Sequence, residues 1–451
     1  MPIIKPSGVS GTRDYLPAEA IARQGIVDTI RRVYGLFGFV PIETPAIERL
    51  DVLTGNSPDF DTRLFRTSVV QGLGDLEVES SLALRFDLTV PLARVVAAYP
   101  DIPKPFKRYQ VGSVWRGETP QHGRYREFMQ FDADIIGSRS ILADAEIIHM
   151  MHEVMKALGF ERFVIQINSR KILNGLLSKF PDLTSSQRIE VLRILDNKAL
   201  PSERALKALM REAENEHDQS APALSQEQSK EILAFVAIKD GDILAQAEAI
   251  IGETELGREG ITELRAISAN LNALDIPSEN WIIDLSIARG LGYYTGPVFE
   301  TVLLDLPEIG SVYSGGRFDG LADRFIRGSN IPGVGTSVGV DRLFAAKETL
   351  GLVESKLSNT QVLILLFDPS ITTEYLQLAV VLRAAGISTE VYLDEKPFGA
   401  QLGYAAKLSI PWVVIIGPDE KQAGKVSIKN METREQQTVD KNQLVAIIRG
   451  Q

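Results

Sequence analysis

The chain changes its period twice, and that change constrains the fold more than any single motif. FVIQINS (163–169) reads as a strand, and strand-type runs resume at WIIDLSIA (281–288), PVFETVLLDL and SVYSGGRFDG. Between them, from Arg170 to about Ser268, the texture is helical and rich in Glu, Lys and Gln, with the polar stretch REAENEHDQSAPALSQEQSKE inside it. Connections within a compact domain are usually only a few residues long. A helical block of this size therefore reads as an insertion with a mobile centre. The flanking residues belong to one α/β domain, 1–355, built around a largely antiparallel sheet and interrupted at 170–268.

A second rhythm begins after the candidate linker KLSNT (356–360). VLILLF, a helix over 371–385, TEVYL, a helix around 397–407, WVVIIG, KVSIKN and a last helix near 441–448 alternate with short loops. This pattern predicts a separate compact α/β domain over 361–451. A chain of 451 residues has room for both domains and the insertion.

In the first domain, Ala22, Ile26, Ile30 and Val33 share one face of a helix over 18–36. GFVPIETPAIE reads as a strand interrupted by Pro41 and Pro45, which suits an edge or a bend. LALRF (82–86) reads as a short strand, and DLTVPLARVVAAYP opens a helix with Asp87 or Thr89 near its start. VWRGETPQHGRYREFMQFDADIIG reads as strand, turn and strand, followed by a helix over 141–158. Such a hairpin can hold two arginines around a polyanion while an acid on the same arm reads an amine. Its charges can equally face solvent.

Composition removes several chemistries. There is no Cys, so disulfides, thiolate metal sites and cysteine nucleophiles are impossible. The net charge of -11 argues against a general nucleic-acid coat protein, but leaves room for a local RNA-binding patch. The N-terminal residues lack the blocks of a signal peptide, and no uncharged apolar run reaches membrane-spanning length. A cytoplasmic protein with no membrane partner is the expectation.

The remaining constellations are arginines, carboxylates and glycines. GVGTSVG from Gly333 is neither a P-loop nor GxGxxG. Gly335 and Gly339 fit a close approach to a ligand, or relief of crowding between a strand and the next helix. Arg342 follows at the helix start. IARGLGYYTGPVFE sets Arg289 beside Tyr293 and Tyr294 in a turn-rich frame, where aromatics can edge a pocket and a guanidinium can reach a phosphoryl oxygen. His149, His152 and Glu146 share helical spacing without completing a metal set, His122 sits in the hairpin turn, and no local Ser-His-Asp pattern occurs. The chemistry that fits is phosphoryl or nucleotidyl transfer, with charge stabilised by fixed guanidiniums.

LRFDLTVPLAR, VWRGETPQHGRYREFMQF, ARGLGYYTG, GGRFDGL and GVGTSVGVDRL, in this order, resemble the motifs of the histidyl-tRNA synthetase family, a branch of the class II aminoacyl-tRNA synthetases. The resemblance runs from Gly11 through the C-terminal domain. It implies ATP-dependent formation of histidyl adenylate, then transfer of histidine to tRNA(His), by a homodimer with Pro41 at the dimer interface. It implies that Arg116 grips the ATP α-phosphate and the activated carboxyl group, with Glu118 near the adenine amine. Arg124 would contact the outer phosphates, Arg342 would pack with ATP, and Arg289 would stabilise charge during attack on the α-phosphate. Asp87, Thr89, Gln130, Asp134, Tyr293 and Tyr294 match the histidine pocket. Mg²⁺ would accompany ATP, with ligands unassigned. The C-terminal domain resembles the family's anticodon-binding domain, and the insertion resembles its helical clamp on the tRNA acceptor arm.

Four departures stand against this pattern. Gly292 occupies a position where the family commonly has Asp, Met129 one where His or Tyr is usual, and Asp341 replaces Glu before the motif's arginine. The insertion offers LDNKAL in place of the familiar wording. Gly292 and Met129 favour an alternative, a catalytically weak paralogue that binds histidine or RNA and regulates another protein.

Overall fold

The computed structural model describes residues 3–55, 64–68, 81–121, 123–197, 200–212, 220–289, 293–353 and 356–450. The chain divides into two compact units, Met1–Arg13 with Ile26–Leu352, and Asp14–Gly25 with Val353–Gln451.

The first unit is built on eight strands: β1 Val40–Pro41, β2 Phe106–Trp115, β3 Glu127–Ile136, β4 Phe163–Ser169, β5 Trp281–Ile283, β6 Pro297–Leu303, β7 Ser311–Arg317 and β8 Gly333–Gly339. They lie in the order β1-β2-β3-β8-β7-β6-β4-β5. Every neighbouring pair is antiparallel except the two at the edges, β1 with β2 and β4 with β5. Pro41 sits in the edge strand, where its missing N–H costs no ladder bond. β2 and β3 are the arms of the predicted hairpin and pair without a break from Phe106 with Ile136 to Trp115 with Glu127. The helix Ile141–Ala157, capped by the Ser140 side chain, buries Ile147, Ile148, Met151 and Val154.

Six helices among the described residues run from Arg170 to Ala273, between β4 and β5. Thr184 with Gln187, and Ser225 with Gln228, form capping boxes that satisfy the first amides of two of them. The helices Arg170–Ser178 and Glu255–Ala273 cross at Gly175 and Gly257, where a Cβ on Gly175 would lie 2.8 Å from the Gly257 backbone. The centre of the polar stretch, 213–219, lies outside the described residues.

Several predicted elements differ from the fold. GFVPIETPAIE, expected as one strand interrupted by Pro41 and Pro45, splits into Val40–Pro41 of the large sheet and Ile47–Arg49 of a small one. The strand expected over 281–288 ends at Ile283, because the Asp284 side chain accepts from the Ser286 amide and hydroxyl and turns the chain. The strand expected over 82–86 ends at Leu84 and belongs to a small sheet with Ile47–Arg49 and Arg66–Thr67. The last insertion helix continues past Ser268 to Ala273.

The second unit carries β9 Val362–Ile364, β10 Thr389–Val391, β11 Trp412–Ile415, β12 Lys425–Asn430 and β13 Gln436–Asp440, in the order β10-β9-β11-β12-β13. β9 is parallel to both neighbours, while β12 and β13 complete an antiparallel hairpin edge. Tyr375, Leu378 and Leu382 of the helix Thr372–Ala384 join Val362, Ile364, Val414 and Ile428 in its core.

Candidate active site

A cleft of about 1070 Å³ opens on the large sheet. Strand periodicity decides what lines it. Successive side chains alternate between sheet faces, so Phe128, Gln130, Asp132 and Asp134 of β3 face the cleft, and Met129 does not. All eleven residues singled out above line this one cavity: Asp87, Thr89, Arg116, Glu118, Arg124, Gln130, Asp134, Arg289, Tyr293, Tyr294 and Arg342.

One region of the cleft is cationic. Arg116 donates through Nε to the Phe86 carbonyl at 3.0 Å, and its guanidinium lies 5.0 Å from the Phe128 ring centre. Arg124 pairs with Glu118 across the hairpin turn. Arg342 donates to the Ser311 carbonyl at 2.7 Å, and Arg289 pairs through Nε with Glu300 at 2.6 Å. Burial, followed by the positive charges of Arg124, Arg289 and Arg116, depresses the Arg342 guanidinium below its ordinary value. Arg342 is within electrostatic reach of the other three guanidiniums, and with Glu118 and Glu300 pairing two of the four the region keeps a positive excess that suits an anion.

Another region is acidic and closed. Asp87, Asp132 and Asp134 are buried to 5%, 1% and 2% exposure. Burial pushes Asp132 up to about 6 and Asp134 up to about 7, while Arg108 opposes it in both cases. Asp87 is also raised by burial, although its carboxylate accepts from the Val90 amide at the start of the helix Thr89–Ala98. Gln130 donates to the Ser337 hydroxyl at 2.8 Å. Tyr293 and Tyr294 meet edge to face with ring centres 4.6 Å apart, and burial raises both phenols.

Gly335 has a different reason from the two read in the sequence. A Cβ there would fall 1.9 Å from Oδ1 of Asp134 on the neighbouring strand, so the glycine makes room for a pocket carboxylate. Gly339 has no such constraint, since its Cβ would make ordinary contact with Arg342. Arg126 does not line the cleft; it donates to the carbonyls of Ser10 and Glu118.

Two lining groups escaped the sequence reading. Asp132 follows from the alternation Gln130, Asp132, Asp134 along β3, a signal present in DAD itself. Arg193 and Asp196 come from the insertion helix Ser185–Asp196, and nothing local in the sequence connects them to a cleft on the sheet. Of the departures, Met129 engages through its backbone: its amide donates to Oδ2 of Asp341 at 2.7 Å. Aspartate at 341 thus serves as a strut between β3 and the helix Val340–Thr349. Gly292 and His122 lie outside the described residues.

A largely antiparallel sheet that gathers four arginines and a buried acidic cluster in one cleft, with a separate α/β unit after it, defines the class as that of the class II aminoacyl-tRNA synthetases. The profile of the histidyl-tRNA synthetase family matches residues 11–343, and that of the anticodon-binding domain matches 361–451. The chain belongs to the histidyl-tRNA synthetase family. It is 42% identical to the histidine–tRNA ligase of Wolinella succinogenes, over 96% of this chain and 96% of that one. The crystal structure of histidyl-tRNA synthetase from Nostoc sp. PCC 7120 superposes with a TM-score of 0.85 at 32% identity, covering 99% of this chain and all of that one. A Bacillus halodurans structure described as an ATP phosphoribosyltransferase regulatory subunit/histidyl-tRNA synthetase is similar at 25% identity and a TM-score of 0.72, over 89% of this chain and 97% of that one.

Proposed function

We propose that this protein is a histidine–tRNA ligase, which activates L-histidine with ATP and passes it to tRNA(His). One observation carries the reading: the four-arginine cluster and the buried carboxylates Asp87, Asp132 and Asp134 share one cleft. An imidazole and an ammonium group suit the acidic region, a triphosphate suits the cationic one, and the histidine carboxylate would reach the α-phosphate between them.

In the first step a histidine carboxylate oxygen attacks the α-phosphorus, the bond to the bridging oxygen breaks, and diphosphate leaves with that electron pair. Charge grows on the α-phosphate oxygens in the transition state. Arg116 and Arg289 stabilise it, and fixed guanidiniums act there without reorganising at the moment of reaction. Arg124 and Arg342 hold the nucleotide, and the tyrosine pair encloses the imidazole. In the second step a hydroxyl of the 3′-terminal adenosine of tRNA attacks the activated carbonyl and AMP leaves. Mg²⁺, when bound with ATP, would neutralise part of the triphosphate charge. Among the described residues no group of three or more carboxylate or imidazole side chains is placed to hold a metal ion.

We propose a homodimer, the assembly the family resemblance implies with Pro41 at its interface; among the described residues β1 lies at the sheet edge, and Val40 there is 49% exposed. The second unit, matched by the anticodon-binding profile, would read the anticodon loop. Charging of tRNA(His) transcripts with labelled histidine tests the full reaction. Stable aminoacylation is the expected outcome. ATP binding with no charging and no adenylate would favour a regulatory paralogue.

A further inference from the structure

Arg108 belongs to none of the motifs that carry the family resemblance, and it does not line the cleft. Strand alternation places it on the face of β2 shared with Gln110 and Val114, whereas its neighbour Lys107 turns away to pair with Glu146 at 2.6 Å. Arg108 is completely buried, with 0% exposure, the largest side chain so enclosed among the described residues. A buried guanidinium is costly unless a carboxylate compensates it. Here Nη2 lies 2.6 Å from Oδ2 of Asp134, the residue directly opposite it on β3. The same nitrogen donates to the Leu88 carbonyl at 3.1 Å, between Asp87 and Thr89.

We infer that Arg108 is a positioning residue for histidine binding, tying together the two walls of the acidic pocket. The inference rests on the reading of that pocket as the histidine site. One wall is Asp134. Its carboxylate lies between Arg108 on β2, which is 2.6 Å from Oδ2, and Gly335 on β8, where a Cβ would fall 1.9 Å from Oδ1. The other wall is the Asp87–Thr89 segment, tied to β2 through Leu88. Arg108 is also the cation that reaches all three carboxylates, Asp87, Asp132 and Asp134. Arg116 also reaches Asp87 and Asp132, and Arg324 reaches Asp87, so Asp134 is the one of the three that depends on Arg108 alone. Holding Asp134 opposite the Asp87–Thr89 segment fixes where the ammonium and imidazole N–H groups of histidine find their acceptors.

The experiment is ATP–pyrophosphate exchange by the full chain, with separate titrations of histidine and ATP, for wild type, Arg108→Met and Arg108→Lys. Arg108→Met is expected to raise KM for histidine by about tenfold or more while KM for ATP stays within about threefold. Arg108→Lys is expected to fall between wild type and Arg108→Met, since it keeps the charge but not the reach and planar geometry that place Nη2 against both Asp134 and Leu88. Thermal melts establish that each variant is folded. Should Arg108→Met not fold, Arg108→Lys decides alone: a raised KM for histidine with an unchanged KM for ATP supports the assignment. An unchanged KM for histidine in a folded variant overturns it, as does an equal rise in both KM values, which would mark a purely structural role. Wild type that shows no histidine-dependent exchange would remove the histidine-site reading itself, and that failure is seen before any substitution is made.

Discussion

Arg289 and Glu300 form an ion pair in which the two partners differ sharply in burial: the carboxylate is 1% exposed, and the guanidinium remains 41% exposed in the cleft. The acid is part of the sheet, and the arginine is the part open to a ligand in the cleft. Removing Arg289 therefore removes little of the core. Because it takes the cation off the buried Glu300 carboxylate, Arg289→Ala is expected to fold but melt below the wild-type temperature, and to lower the rate of adenylate formation about 100-fold or more, as loss of a fixed transition-state donor does. Single-turnover formation of adenylate measures this, and near-normal rates would remove Arg289 from the mechanism.

Glu300→Gln tests the anchor and not the charge on the phosphate. The amide keeps the size of the side chain but loses the ionic hold on Nε. A drop in kcat of about tenfold with KM for ATP and histidine nearly unchanged is the expected result.

Gly335 is set by its neighbour. A methyl group at this position would overlap Oδ1 of Asp134 and approach the Ala133 carbonyl to 2.9 Å. Gly335→Ala is expected to cost about 1–3 kcal/mol of stability by overpacking and to weaken histidine binding. The same substitution at Gly339 meets only ordinary contacts and is expected to change histidine binding little. Paired melts and histidine titrations of the two variants separate the positions.

Asp132 gives a pH-dependent outcome. Burial pushes its carboxyl up to about 6, against the opposing pull of Arg108 and Ser337. A folded value above the unfolded one means that the native state holds the proton longer. The stabilising contribution is full below about pH 4 and is lost as pH rises through about 6. Asp132→Asn has no such dependence, so its stability relative to wild type is expected to improve between about pH 4 and about pH 8, by on the order of 2 kcal/mol. Denaturant melts of both proteins across that range check it, and a difference independent of pH would contradict the assignment.

Much of this arrangement was legible in the chain because it depends on period and order. FVIQINS is strand β4 residue for residue, and the hairpin arms, the helix after Ser140 and the helical insertion follow from spacing alone. The elements that escaped are those whose signal is weak or non-local. β13, QQTVD, is polar and largely exposed, so it carries no apolar alternation; its pairing with β12 defines it. The helix Pro418–Ala423 is short and buries none of its residues. In the site, motif residues could be named one by one, but Arg108 and the reason for Gly335 are cross-strand facts. They depend on Arg108 and Gly335 both standing opposite Asp134, a register that no single stretch of sequence displays.

The central claim is that the cleft activates histidine with ATP. ATP–pyrophosphate exchange on the purified full chain, run with each of the twenty standard amino acids in turn, tests it most directly. Exchange stimulated by histidine and by no other amino acid is the predicted result. Exchange with none of them, or with a different one, from protein shown to be folded, would contradict it.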